Sequence, residues 1–162
     1  MNGRQTTAPV LILTYGNPSR GDDALGPAMY DLLEKFQLEN TRLDDVDLFT
    51  DFQLQIEHAL DLEDRRYILF IDASVSCPAP FELQKLHAQR DDSFTTHAMT
   101  PAAVLAVYQQ IHHRDPPPAF LLSIRAYEFG LGLDICDQAR ANLQEAYQFI
   151  IDDRWREALR IT

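Results

Sequence analysis

Arg66-Tyr67-Ile68-Leu69-Phe70-Ile71-Asp72-Ala73-Ser74 is the stretch that decides the fold. Tyr67 to Ile71 is an unbroken apolar run, and it stops at an aspartate. A run so short, and so rich in β-branched and aromatic side chains, reads as a strand buried on both faces, as in a parallel sheet. Pro9-Val10-Leu11-Ile12-Leu13-Thr14-Tyr15 has the same character and is closed by Gly16-Asn17-Pro18. Ala119 to Ile124 is a third buried strand. Asp45 to Phe49 predicts a weaker, acidic one, and Phe81 to Leu86 a strand of alternating exposure after Pro78 and Pro80.

Helical spacing fills the intervals. Ala24, Leu25, Ala28, Met29, Leu32, Leu33 and Phe36 recur on one face, which predicts a helix from about Asp22 to Gln37. Thr100-Pro101 reads as an N-cap followed by proline at the first helical position. That helix carries Val104, Leu105, Val107, Tyr108 and Ile111 towards a core. His112 to Pro118, with three prolines, is a connector. A final helix is expected from Cys136 to Arg160, and Leu54, Ile56 and Leu60 are given to a short helix or turn that they match poorly. Strand–helix alternation predicts an α/β fold: a three-layer α/β/α sandwich around a mostly parallel twisted sheet of about five strands. One domain over 1–162 is expected, with 1–8 a flexible N-terminal segment.

Composition limits the functions. The chain has 162 residues, 46% of them hydrophobic, enough for a core without staples. Lys plus Arg total 14 against 25 Asp plus Glu, a formal net charge of −11. Such a surface repels phosphate backbones, so nucleic-acid and anionic-membrane binding are excluded. Cys77 and Cys136 cannot build a disulfide framework, which points to a reducing cytoplasm. There is no apolar run of a length to cross a membrane and no signal-peptide pattern.

In open α/β sheets the ligand site lies beyond the carboxyl ends of the strands. Three segments should meet there: Gly16 to Asp23, the end of the Tyr67–Ile71 strand at Asp72, and Arg125 to Gly132. The loop before the Thr100-Pro101 helix adds His97. Asp23, Asp72 and His97 are therefore the candidate cluster. Each also has a structural reading: Asp22 and Asp23 favour the positive end of a helix dipole, Asp72 can cap a turn, and His97 can be an ordinary loop residue. His58, His87, His112 and His113 are assigned to the surface. Gly16 to Gly21 lacks both phosphate-loop patterns, and two aspartates beside it would repel phosphate. Ser19, Ser74 and Ser76 have no nucleophile elbow, and nothing marks Cys77 as an activated thiol.

Leu13-Thr14-Tyr15-Gly16-Asn17-Pro18 followed by Gly21-Asp22-Asp23-Ala24-Leu25-Gly26-Pro27 resembles the opening of the nickel–iron hydrogenase maturation endopeptidases. Phe70-Ile71-Asp72-Ala73 is similar to the family's second motif, and Thr96-His97 before an amphipathic helix to the third. The lineage serving bidirectional-type, cytosolic hydrogenases is the most similar. The resemblance implies a phosphorylase/hydrolase-like sandwich and an enzyme that trims a C-terminal extension from the nickel-loaded large-subunit precursor. It implies Asp23, Asp72 and His97 as metal contacts, with Asp23 or Asp72 as general base or nucleophile. Asn17, Asp22, Gln53 and Arg125 become the substrate-loop candidates. The chain departs from many relatives in having Asp rather than Glu at 23, Asp51-Phe52-Gln53-Leu54 in place of a glycine-rich segment, and no proline after the last strand.

Carboxylate and imidazole donors suit nickel or zinc, and three protein ligands leave coordination positions open. The nickel is expected to be carried by the substrate, with no tight intrinsic cofactor, and the protein to act as a monomer. Two other functions use the same features: a non-hydrolytic nickel-sensing chaperone for hydrogenase assembly, and a nucleotide- or flavin-binding α/β protein.

Overall fold

The computed structural model describes residues 6–90 and 99–161. Strands β1 (Val10–Tyr15), β2 (Val46–Asp51), β3 (Tyr67–Ser74), β4 (Phe81–Leu86) and β5 (Ala119–Arg125) form one sheet in the order β2-β1-β3-β5-β4. All pairings are parallel except β4 with β5, which is antiparallel. The helices are α1 (Leu25–Glu39), α2 (Pro101–His112), α3 (Asp137–Ile151) and α4 (Arg154–Ile161), with 3-10 segments at Gly21–Ala24 and Ile56–Leu62.

Strand alternation divides the core in two. Val10, Ile12, Leu69, Ile71, Phe120, Leu122 and Ile124 face α1, α3 and Trp155 of α4. Leu11, Leu13, Ile68 and Phe70 face α2 and the 3-10 segment through Leu54, Ala59 and Leu62. The three-layer arrangement follows, because a strand apolar on both sides must be covered on both. Counting on from Phe70 puts Asp72 on the α2 side, and counting from Leu13 puts Tyr15 there too.

Four expectations are corrected by packing. The third strand runs on through Asp72 to Ser74, because β5 continues to pair with it there (Asp72 opposite Ser123). The first helix opens as 3-10 over Gly21–Ala24 before α1 takes over. Ile111 is 49% exposed instead of reaching a core, while Val104, Leu105 and Tyr108 are buried. The last helix breaks after Ile151, with Asp153 at φ 59°. The break returns α4 to the sheet, burying Trp155 edge-on to Tyr67 at 6.0 Å between centroids and pairing Arg156 with both Asp45 oxygens at 2.7 and 2.8 Å.

Candidate active site

The order β2-β1-β3 makes β1 the turning point of the sheet: the chain passes from β1 to one side and then returns to the other. That is where such sheets open a ligand crevice. A cleft of about 350 Å³ lies there. Its walls come from the loop after β1 (Gly16, Asn17, Arg20, Asp23), the segment after β2 (Phe52, Gln53), and Tyr15 and Asp72.

The loop after β1 is folded tightly so that Asp23 points in. Asp23 Oδ2 accepts the Asn17 N–H at 2.8 Å, and Asn17 Oδ1 accepts the Ser19 N–H at 2.9 Å. Gly16 is essential to that turn, since it sits at φ +148° and a Cβ there would meet the Asp23 carbonyl oxygen at 2.1 Å. Gly26 lets the start of α1 approach β1, where a Cβ would lie 2.2 Å from the Tyr15 carbonyl oxygen.

Asp72 is the chemically unusual group. Its Oδ1 accepts the Ala73 N–H at 2.7 Å. Burial pushes its carboxyl up to about 7, and the neighbouring Asp23 charge adds to this, against the lowering effects of the Ala73 N–H and the Tyr15 hydroxyl. The Tyr15 phenol is itself raised well above its ordinary value, by burial first and then by the charge of Asp72. A carboxyl raised by burial and by a second carboxylate across a cleft would be relieved by a cation between the two. Among the described residues no group of three His, Cys, Asp or Glu side chains is placed to hold a metal ion. His97 lies outside the described residues.

The remaining site candidates divide. Asn17 and Gln53 line the cleft, as does Arg20, which the sequence reading missed. Asp22 does not: it is fully buried, and its Oδ2 accepts the Tyr127 and Glu128 N–H groups at 2.7 and 2.9 Å while Oδ1 accepts that of Cys136 at 2.8 Å. Burial alone would raise the Asp22 carboxyl, but these backbone donors outweigh it and hold it below its ordinary value. Arg125 is turned away from the cleft, donating through Nη1 to the Cys77 carbonyl at 2.9 Å and stacking on Tyr127. His58 is not a surface residue. It is 7% exposed, its Nδ1 accepts the Gln55 N–H at 2.8 Å, and its Nε2 lies 3.2 Å from Asp51 Oδ2, bracing the segment that carries Phe52 and Gln53. Cys77 is buried with its thiol pushed up by burial, so it is no nucleophile candidate.

No protein-family model matches the sequence, and no curated protein does. Solved structures do. The hydrogenase maturating endopeptidase HybD from E. coli superposes with a TM-score of 0.67 at 20% identity, over 92% of this chain and 93% of that one. The [NiFe] hydrogenase maturation protease HycI from Thermococcus kodakarensis KOD1 gives 0.64 at 18% identity, over 91% and 93%. The hydrogenase 2 maturation peptidase from Thaumarchaeota archaeon SCGC_AB-539-E09 gives 0.62 at 22% identity, over 88% and 95%. This chain shares the fold of those maturation peptidases over 88–92% of its length.

Proposed function

We propose that this protein is an endopeptidase that removes a C-terminal extension from the nickel-loaded large-subunit precursor of a nickel–iron hydrogenase. The observation that carries the reading is the pairing of Asp23 and Asp72 across the cleft at the turning point of the sheet. The shared fold with solved maturation endopeptidases supports it.

Asp23, Asp72 and His97 are the groups that meet the nickel the precursor brings, and no resident metal is needed. The Met99 N–H donates to the Leu54 carbonyl at 3.3 Å, so the start of α2 lies beside the segment that forms one wall of the cleft. This supports His97 as the third contact. Carboxylate and imidazole donors suit a borderline cation such as nickel.

For the hydrolysis, Asp72 is the better base. In the nickel-free protein a carboxyl raised to about 7 can both take a proton and return it, and nickel alongside would favour its ionised, proton-accepting form. Asp72 takes a proton from water as the water oxygen bonds to the scissile carbonyl carbon. The C–N bond then breaks, and the proton passes to the leaving amine. Asp23, fixed by the Asn17 N–H, orients the substrate's metal. Nickel beside the carbonyl would also polarise it as a Lewis acid.

The reaction belongs in the cytoplasm, and the protein works as a monomer that releases its product. Among the described residues no helix is long and apolar enough to cross a membrane. Mass spectrometry of purified precursor incubated with this protein tests the reading. Loss of a defined C-terminal peptide only from the nickel-loaded form is expected. Binding without mass loss in both forms would replace the endopeptidase with a nickel-sensing chaperone.

A further inference from the structure

Most of the large apolar side chains left in water among the described residues lie at one end of the sheet, with Leu38, Phe49, Leu60 and Ile111 elsewhere. Phe52, Ile56, Val75, Tyr127, Leu131 and Leu133 are 38–77% exposed, and all six follow the carboxyl ends of strands, the end at which the cleft opens. Leu131 and Leu133 stand out among them, at 77% and 50% exposed, because the turn that carries them is held rigidly. The Gly132 N–H donates to the Ser19 carbonyl at 2.8 Å, and the Gly21 N–H donates to the Leu133 carbonyl at 3.0 Å. The buried Asp22 carboxylate grips the same segment on both sides of the turn, through Glu128 and Cys136. These bonds fix the backbone of the turn, so that Leu131 stands out into water while the Leu133 side chain lies over Gly130 with half its surface exposed.

Ser19 and Gly21 belong to the loop that carries Asn17 and Asp23, so the leucine turn is fastened directly to the wall of the cleft. Exposed acidic residues flank it at Glu128, Asp134 and Asp137. An apolar projection flanked by three exposed carboxylates against one exposed guanidinium, Arg20, is acidic on balance and suits an apolar patch bordered by Lys and Arg.

We propose that the Leu131–Leu133 turn is a docking site for the folded body of the precursor, gripping a basic-rimmed apolar patch outside the cleft while the tail enters it. The inference rests on the endopeptidase reading for the identity of the partner. It separates recognition of the folded protein from the chemistry at Asp23 and Asp72. Docking here sets the register of the tail, because the turn and the Asp23 loop move as one body.

The test compares wild type with the Leu131→Ser/Leu133→Ser double variant and a Leu131→Ser single variant, whose side chain is too exposed to matter for folding. A Leu38→Ser/Ile111→Ser variant, altered at the opposite end of the sheet, is the control. Cleavage of nickel-loaded precursor is followed by mass shift. KM should rise about tenfold in the double variant, with kcat changed less than about twofold, as expected for hot-spot leucines that touch no reacting atom. The control should keep the wild-type KM. An unchanged KM in both leucine variants, or an equal rise in the control, would overturn the docking site. Loss of self-association in the leucine variants at unchanged KM would also overturn it, by assigning the turn to a second copy of the chain. Should the wild type bind precursor without cutting it, the endopeptidase reading falls alone, and a tenfold weaker Kd of the double variant for the precursor still upholds the docking site.

Discussion

Asp72 owes its chemistry to depth. Its carboxyl titrates near 7 in the folded protein against an ordinary 3.8, chiefly because burial disfavours the charge. The folded protein therefore holds a proton that the unfolded chain releases, and stability falls as pH rises from about 4 to about 7. Asp72→Asn removes that dependence. Denaturant unfolding should find the variant more stable than wild type at pH 8, by up to about 4 kcal/mol, and nearly equal at pH 4. A gap that does not widen with pH would disprove the buried charge. On the endopeptidase reading proposed above, with Asp72 as base, the same titration would govern catalysis with the opposite sign, since a base must be ionised. kcat/KM, which reports the free enzyme, should rise with pH up to about 7 and then level off. Gly16 shows how closely the loop after β1 folds onto the backbone of Asp23. Gly16→Ala should displace Asp23, abolish cleavage and cost about 1–3 kcal/mol in a thermal melt, through a strained φ and a clash with the Asp23 carbonyl. That Asp23 and Asp72 belonged to one site could be read from their positions after strands. That Asp72 is the raised one could not, because burial depends on what the fold stacks around it.

At the scale of elements, Asp22 and Asp23 are neighbours in sequence with opposite duties. Asp23 faces the cleft, while Asp22 joins the 3-10 segment before α1 to the chain between β5 and α3. Asn at 22 has one accepting oxygen where the structure uses two, and its amide would face N–H groups. Asp22→Asn should therefore lose roughly 2–4 kcal/mol in denaturant unfolding and lower processing indirectly, by loosening the loop that holds Asp23. Nothing in the local pattern distinguishes the two aspartates, for the partners of Asp22 lie more than a hundred residues away. The break between α3 and α4 had a visible sign. Asp152 and Asp153 place negative charge at a helix C-terminus, where the dipole opposes it. Trp155→Ala should cost about 3–5 kcal/mol and release α4, measurable by hydrogen exchange, because a fully buried indole anchors it against Tyr67. His58 escaped notice for a related reason. It lies near no predicted strand's carboxyl end and so reads as a surface residue, and only the folded 3-10 segment brings Gln55 and Asp51 to its two ring nitrogens.

For the molecule as a whole, the net charge of −11 bears on association more than on the fold. With a basic-rimmed partner, kcat/KM should fall as salt is raised from low ionic strength, while kcat holds. A flat salt profile would remove charge from the recognition. The sequence by itself determined the α/β class, the five strands, the N-cap of α2 and the end of the sheet where the cleft opens, because each rests on local periodicity or on short-range backbone chemistry. Tertiary structure alone decided the strand order, the inward turn of Asp23 against the burial of Asp22, the raised carboxyl of Asp72, the placing of Arg125 away from the cleft, and the rigid exposure of Leu131 and Leu133. Those properties arise from contacts between segments far apart in the chain, and burial, charge coupling and hydrogen-bond partners take their values only once the sheet has brought those segments together.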